Sequence, residues 1–298
     1  MISQIALCPE LTTSRLVLGL WRMAEWQRSP QETLDLIQRC ISWGITTFDH
    51  ADLYGDYTCE GLFGDALKLD PALRSQIQLV SKCGIKLVSP NRPEHRLKQY
   101  DTSREHILKS VDHSLQALQT DYLDLLLIHR PDPLMDADQV AETFSQLRQS
   151  GKVRQFGVSN FSPSQFDLLA SRLDFPLVTN QIEISVIHLN AFTDGTLDHC
   201  QRLRIAPMAW SPLGGGRLFG DSPPTRLQQA LSKVAHQLDA TNDQVALAWL
   251  LAHPARIIPI LGTGSLTRIE SATQAEQLTL TREQWFTIWT ASTGVEVP

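Results

Sequence analysis

Residues 121–160 read DYLDLLLIHRPDPLMDADQVAETFSQLRQSGKVRQFGVSN, and this stretch contains the unit from which the fold is built. Two short apolar runs, Tyr122–Ile128 and Val153–Val158, enclose a segment of helical period. That segment opens at Asp136, with a glutamine three residues later, and closes at Gly151, residue types that begin and end helices. A strand, a capped helix and a second strand predict a βαβ unit with parallel pairing.

The same pattern repeats on both sides of this stretch. Helix starts are marked by the capping box Ser29-Pro30-Gln31-Glu32, closed by Gly44, and by Ser162-Pro163. The candidate strands number eight: Leu16–Leu20, Ile45–Phe48, Ile77–Ser81, Tyr122–Ile128, Val153–Val158, Val178–Ile182, Ile205–Ala209 and Ile257–Leu261. So many parallel strands predict a closed (β/α)₈ TIM barrel, because a doubly wound sheet usually has fewer strands and no GxGxxG follows the first one here.

Additions to the barrel are expected at both ends. Gln4–Cys8 and Ser14–Val17, on either side of a five-residue turn, suggest an N-terminal β-hairpin, and Thr241–His253 and Thr281–Ala291 suggest two extra helices. The chain of 298 residues is about twice the usual domain length, but no linker interrupts the series. We therefore expect a single barrel domain over residues 1–298.

Composition excludes several classes of function. Hydrophobic residues make up 42% of the chain and glycine and proline are scattered, which is typical of a packed globular protein. The net charge is −6 without a basic block, so nucleic acid is not an expected partner. Five cysteines without a CxxC pair indicate reduced thiols and no metal site, and no leader or membrane-spanning segment is evident. We expect a cytoplasmic protein.

Polar residues follow three consecutive strands at the end where barrel enzymes carry their reactive groups. Asp49 ends the second strand with Tyr54 five residues later, Lys82 ends the third, and His129 ends the fourth. Each has an ordinary structural explanation alone, but a buried lysine and a buried aspartate on adjacent strands each need the other as partner.

This quartet suits the reduction of a carbonyl group by hydride. The reaction leaves negative charge on oxygen and needs a proton donor and hydrogen bonds directed at that oxygen. Tyr54 would be the acid, with its pKa lowered by the Lys82 ammonium. Asp49 would hold Lys82, and His129 would orient the carbonyl oxygen.

The sequence resembles the aldo-keto reductase superfamily through ordered motifs: FDHADLYG with Glu60 and Gly64, LVSKCG, DYLDLLLIHRPD, GKVRQFGVSNF, VTNQIEIS and MAWSPLGGG. The resemblance runs from about Leu16 to about Ala275 and is nearest the bacterial and potassium-channel-β-subunit-like branch. It implies a barrel that binds NADPH without a Rossmann fold, and the catalytic tetrad Asp49, Tyr54, Lys82 and His129.

The resemblance also implies cofactor contacts. Ser159, Asn160 and Gln181 match residues that hydrogen-bond the nicotinamide carboxamide, and Trp210 stands where the family usually stacks a tyrosine on the nicotinamide ring. Ser211, Leu213 and the glycines Gly214, Gly215 and Gly216 resemble the loop over the pyrophosphate.

LGTGSLTRIESA resembles the segment that binds the adenosine 2′-phosphate, with Gly262, Thr263, Ser265 and Arg268 on its pattern. Arg268 therefore predicts a preference for NADPH over NADH. Ser271-Ala272 replace the Glu-Asn pair with which many relatives hold adenine.

The substrate pocket is expected to be walled by Trp21, Met23 and Trp26, which follow the first strand, and by His50, which replaces the usual threonine or serine of the catalytic motif. The basic stretch Cys83–Tyr100 is interpreted as a solvated lid. We expect a small-molecule carbonyl compound as the partner of this site.

Two alternatives remain open from the sequence. A lysine that ends a barrel strand is also typical of Schiff-base aldolases, in which Lys82 would be the nucleophile. A non-catalytic NADP(H)-binding regulatory subunit would carry the same motifs.

Overall fold

The predicted barrel is present in the computed structural model, which describes residues 1–219 and 225–298. The strands are β1 (Gln4–Cys8), β2 (Leu11–Ser14), β3 (Val17–Gly19), β4 (Thr47–Asp49), β5 (Gln78–Cys83), β6 (Ile85–Lys86), β7 (Gln99–Tyr100), β8 (Leu123–Ile128), β9 (Val153–Ser159), β10 (Leu177–Glu183), β11 (Met208–Trp210) and β12 (Ile258–Leu261). Eight of them form the closed barrel in the order β10-β11-β12-β3-β4-β5-β8-β9, all neighbours parallel. These eight strands correspond to the eight predicted runs.

Helices follow the barrel strands, as the capping signals predict. They are α1 (Pro30–Ser42), α2 (Tyr54–Tyr57), α3 (Cys59–Leu67), α4 (Arg104–Ala117), α5 (Ala137–Gln149), α6 (Pro163–Ala170), α7 (Thr196–Leu203), α8 (Thr225–Leu238), α9 (Asn242–Leu251), α10 (Leu266–Thr273) and α11 (Arg282–Thr293). Short 3₁₀ turns cover Met23–Trp26, Pro71–Gln76, Asn190–Phe192, Gly214–Phe219 and Gln274–Gln277. The Ser29 and Ser162 capping boxes are both formed, and Asp136 caps α5.

The N-terminal hairpin exists, but its predicted second strand is wrong. β2 begins at Leu11, because the in-out alternation of the strand starts there, with Leu11 and Thr13 buried and Thr12 exposed. Val17 belongs to the barrel, where it pairs with Ile260. The turn between β1 and β2 is therefore only two residues long, Pro9 and Glu10.

One of the two predicted extra helices is part of the barrel. α9 packs against β12 and buries the six consecutive residues 245–250, as a helix covered on all sides does. The additional helices are α8 and α11, which pack against each other. Periodicity could not separate these cases, since it reports that a helix forms but not which layer it joins.

The barrel interior is filled by apolar side chains and closed at its amino end by the hairpin. Val80, Leu125 and Ile258 belong to the interior cluster, and Leu7 and Leu11 from the hairpin pack against it. This packing leaves the carboxyl rim as the place where polar groups can gather. No helix in the described part of the chain is long and apolar enough to cross a membrane.

Candidate active site

The four residues of the predicted tetrad meet at the carboxyl rim of the barrel. Asp49 is the last residue of β4, Lys82 lies one residue before the end of β5, and His129 directly follows β8. Tyr54 begins the short α2 turn. Because β4, β5 and β8 are neighbours in the parallel barrel, their ends project these side chains into one space.

The Lys82 ammonium is fully buried, and all three of its N–H donors are used. Its Nζ atom lies 2.7 Å from Asp49 Oδ2, 2.6 Å from the backbone oxygen of His50 and 3.0 Å from the Tyr54 hydroxyl. Such partners are what allow a charge to remain in the interior. The lysine is therefore held as a cation against the phenol.

Burial and neighbouring charge have opposite effects on the pKa values of Lys82 and Tyr54. Burial lowers the pKa of Lys82, but the Asp49 carboxylate and the Tyr54 hydroxyl outweigh it, so the net pKa is raised. Burial raises the pKa of Tyr54, and the Lys82 charge offsets this only in part. The expectation that the pKa of Tyr54 falls below its usual value is therefore wrong in this structure. The phenol keeps its proton at neutral pH, which is the state required of an acid.

The backbone after Tyr54 is strained and tied down from outside. Gly55, Asp56 and Tyr57 all have positive φ (58°, 57° and 66°), an uncommon conformation for the two residues that carry a Cβ. The Asn91 side-chain amide donates to the backbone oxygen of Asp56, and the Leu87 backbone N–H donates to the Tyr57 hydroxyl. The stretch interpreted as a solvated lid therefore also braces the turn that carries Tyr54.

His129 stands over the tyrosine as a neutral imidazole. Its ring meets the Tyr54 ring edge to face, with centroids 5.8 Å apart. Burial and the nearby Lys82 charge hold the pKa of His129 well below its usual value. Its buried Nδ1 has no hydrogen-bond partner within residues 1–219 and 225–298.

Ser159, Asn160, Gln181 and Trp210 form one hydrogen-bonded group beside the tetrad. The Gln181 amide donates to Asp49 Oδ1 at 2.8 Å, and the Ser159 hydroxyl donates to the Gln181 backbone oxygen at 2.9 Å. The Asn160 amide donates to Ser159 Oγ, and the Trp210 indole N–H donates to Asn160 Oδ1 at 3.0 Å. The predicted nicotinamide contacts are thus gathered in one place and joined to the Asp49 carboxylate.

The glycine-rich segment after β11 forms a tight 3₁₀ turn. Ser211 and all three glycines of Gly214–Gly216 have positive φ. At Gly214 a Cβ would also lie 2.2 Å from the Ile187 side chain, so only glycine fits. Leu213 packs between two hydrophobic clusters and anchors the turn.

The segment after β12 opens a pocket of about 560 Å³ at the junction of the first and last crossovers. Its lining includes Gly262, Thr263, Ser265 and Arg268, for which binding of the 2′-phosphate stays a prediction. Ser265 caps α10 by accepting from the Arg268 N–H, and Thr263 accepts from the Ser265 N–H. The Arg268 side chain is exposed and makes no ion pair or hydrogen bond to any residue that the structure describes.

The predicted substrate wall is only partly supported. Trp21 is 59% exposed at the rim, where an aromatic wall is possible, but Met23 is 4% exposed and packs into the core. His50 is wholly buried against Phe63, because strand alternation turns it outward when Asp49 points inward. Trp26 lines the 560 Å³ pocket together with Arg268, and its ring lies against Gly264.

Sequence reasoning missed two contributors to this region. The backbone oxygen of His50 takes the third Lys82 donor, and residue types do not reveal such a contact. Arg28, just before the α1 capping box, lines the pocket with Arg268 and donates to the Gly264 oxygen at 2.8 Å. No motif marks it.

Comparison with known proteins agrees with this geometry. The model of the aldo/keto reductase family matches residues 15–292. The chain is 53% identical to an uncharacterised oxidoreductase of Bacillus subtilis, YcsN, over 100% of both chains. It is 45% identical to the 6-dehydroglucose reductase of Agrobacterium fabrum, over 99% of this chain and 100% of that protein.

A solved structure provides a further comparison. The aldo/keto reductase of Klebsiella pneumoniae in complex with NADP and acetate superposes with a TM-score of 0.77 at 26% identity, over 93% of this chain and 90% of that one. These relatives are bacterial oxidoreductases and reductases; the likeness to potassium-channel β subunits stays a prediction.

Proposed function

The chain belongs to the aldo/keto reductase family, and we propose that it reduces aldehydes or ketones to alcohols with NADPH, using Tyr54 as the general acid. The observation that carries this proposal is the arrangement of Lys82, whose buried ammonium donates to both Asp49 and the Tyr54 hydroxyl. When bound, NADPH supplies the hydride. The chain itself must supply the proton and the environment for charge that develops on the carbonyl oxygen.

Tyr54 delivers the proton in this proposal. Its hydroxyl is protonated in the resting site, since burial raises its pKa, and it already accepts a hydrogen bond from the Lys82 ammonium. As the proton leaves, the growing phenolate charge is met at 3.0 Å by a cation that cannot turn away, because its other donors are fixed. Asp49 positions Lys82 and keeps it charged.

His129 contributes as a neutral donor or acceptor. The ring stands edge to face with Tyr54, and its low pKa keeps it uncharged at neutral pH. A neutral imidazole beside Tyr54 can direct the substrate oxygen toward the phenol without acting as a second proton donor.

The residues predicted to hold the cofactor fit its parts. Hydroxyl and amide groups of Ser159, Asn160 and Gln181 suit a carboxamide, and the Trp210 ring offers a flat surface for a heterocycle. The positive-φ turn at Gly214 and Gly215 presents backbone that phosphate oxygens can approach. The guanidinium of Arg268, which has no partner in residues 1–219 and 225–298, lies in the first turn of α10 and suits a dianion.

The Schiff-base alternative is disfavoured by the state of Lys82. A nucleophilic lysine must be neutral and free to approach a carbonyl carbon, whereas Lys82 has a raised pKa and three committed donors. Borohydride trapping with a carbonyl compound tests this: an aldolase would leave Lys82 covalently modified. A purely regulatory subunit would bind NADPH without turnover.

Oxidation of NADPH, followed by absorbance, tests the proposal directly. The panel should contain aliphatic and aromatic aldehydes, ketones and quinones, and also 6-dehydroglucose, because a relative of 45% identity is a reductase of that compound. Turnover of any carbonyl compound, abolished in the Tyr54→Phe variant, supports the proposal. Tight binding with no turnover across the panel favours the regulatory alternative.

A further inference from the structure

Arg28 places a guanidinium at the pocket between the first and last crossovers. Its Nη2 atom donates to the Gly264 backbone oxygen at 2.8 Å, which fixes the guanidinium at the pocket wall. Its remaining N–H groups meet no acceptor in the described part of the chain. A carbonyl oxygen orients the side chain but does not neutralise it.

The acidic group nearest in sequence is already committed. Glu32 also lines the pocket, but one of its carboxylate oxygens accepts from both the backbone N–H and the hydroxyl of Ser29 in the α1 capping box. The hydrogen bonds from Ser29, with the Arg28 charge, lower the pKa of Glu32. This carboxylate therefore offsets the Arg28 charge in part, without a direct ion pair to it among the residues described. The capping role keeps this carboxylate at the start of the helix.

Arg268 contributes a further guanidinium to the lining of the same pocket, and it has no ion-pair partner among the residues described. Arg268 belongs to the first turn of α10, and Thr263 and Ser265 also line the pocket. Three arginines, Arg22, Arg28 and Arg268, line this pocket of about 560 Å³, against the single carboxylate of Glu32. An excess of positive charge of this kind favours an anion in the pocket. The chemistry that best satisfies two guanidiniums and hydroxyl groups is a phosphate dianion.

We propose that Arg28 binds the 2′-phosphate of NADPH together with Arg268, so that cofactor preference is set by the first crossover as well as by the last. This inference rests on the proposed NADPH-dependent function. It assigns a cofactor role to a segment that the sequence motifs leave unassigned, and it places Trp26, against Gly264, on the cofactor side of the site and not in the substrate wall.

Binding measurements on the whole protein test the assignment without relying on turnover. Fluorescence titration of Arg28→Ala should show NADPH binding weakened about ten- to a hundredfold, with NADH affinity changed by less than about twofold. Arg28→Gln, which keeps a donor for Gly264 without the charge, should behave in the same way. Arg39→Ala is the matched control, because Arg39 is exposed on α1 and stacks on Trp43.

A second readout uses the phosphate-bearing half of the cofactor alone. Adenosine 2′,5′-bisphosphate should raise the melting temperature of the wild type and of Arg39→Ala, and should have little effect on Arg28→Ala. Adenosine 5′-monophosphate should not separate the three proteins.

The outcomes distinguish a failure of the Arg28 assignment from a failure of the proposed NADPH-dependent function. If the wild type binds neither nicotinamide cofactor, the proposed function fails. If the wild type prefers NADPH but Arg28→Ala and Arg28→Gln keep that preference, or lose both cofactors equally, the assignment of Arg28 is overturned and the proposed function stands.

Discussion

Gln181 on β10 donates a hydrogen bond to Asp49 on β4 at 2.8 Å, which links two sides of the barrel through the centre of the rim. Asp49 Oδ1 is therefore held by Gln181 while Oδ2 is held by Lys82. Both oxygens of the carboxylate have fixed partners, so its direction toward Lys82 is set from β10, on the other side of the barrel. Residues that the sequence motifs assign to different tasks act here as one network.

Tyr54→Phe should lower kcat for carbonyl reduction by about a hundredfold or more, because it removes the proton donor and very little volume. NADPH affinity, measured by fluorescence titration, should change little. Tyr122→Phe is the control: it removes a phenol hydroxyl next to β8 at the amino end of the barrel, where its ring packs under Arg74 and Arg154. Unchanged kcat in a folded Tyr54→Phe protein would rule out the assigned role.

Lys82→Met should abolish most activity and also destabilise the fold. The phenol loses the cation that stabilises its ionised form, and Asp49 becomes a buried carboxylate without a counter-ion, which typically costs ~3–5 kcal/mol. Urea unfolding measures the second effect.

The double variant Lys82→Met/Asp49→Asn separates the two consequences. Removal of the orphaned charge should restore much of the unfolding free energy, while activity should stay low because the phenol still has no cation beside it. Recovery of activity in the double variant would contradict the role of Lys82 at Tyr54.

The barrel could be predicted from the sequence because each βα unit carries its own local signals. The Ser29 capping box and the Asp136 cap appear where expected, and they depend only on neighbours three residues away. The tetrad was predictable for a related reason: parallel strands deliver their last residues to one rim.

What the sequence did not reveal depends on direction and on contacts between distant segments. His50 and Met23 point into the core, and Trp26 and Arg28 face the pocket of the last crossover. Residue type alone does not determine which side of a loop faces a cavity. The raised pKa of Tyr54 belongs to the same class, because the sequence shows the neighbouring charge but not the burial that outweighs it.

Asp52→Asn should stabilise the protein at neutral pH. Burial, with the nearby Glu60 carboxyl, raises the pKa of Asp52 to about 8, and its Oδ1 has no partner among the described residues. The folded state thus holds a proton that the unfolded chain releases near pH 4, so wild-type stability falls as pH rises from about 4 to about 8.

Asparagine cannot ionise, so the gain should grow across that range and reach roughly 2–4 kcal/mol at pH 7. Urea unfolding of both proteins at pH 5 and pH 8 measures it. Asp65→Asn, the same change at an exposed site on α3, should give no such trend. A difference between wild type and Asp52→Asn that is constant with pH would show that Asp52 does not titrate as described.

His50→Leu should protect the protein against acid. Burial, assisted by the Lys82 charge, lowers the pKa of His50 to about 3, and neither ring nitrogen has a hydrogen-bond partner in the described structure. In the unfolded chain the imidazole binds a proton below about pH 6.5, so wild-type stability is lost progressively as pH falls from there toward 3. Leucine binds no proton, fits against Phe63, and leaves the backbone oxygen in place for Lys82.

The His50→Leu variant should therefore gain about 3 kcal/mol in unfolding free energy over wild type by pH 4, beyond any gain from removing the unpaired nitrogens, and should keep its activity at pH 7. Thermal unfolding from pH 7 to pH 4 measures the effect, with His236→Leu on the exposed face of α8 as control. Wild type and His50→Leu curves that run parallel down to pH 4 would show that the buried ring is not what limits acid stability.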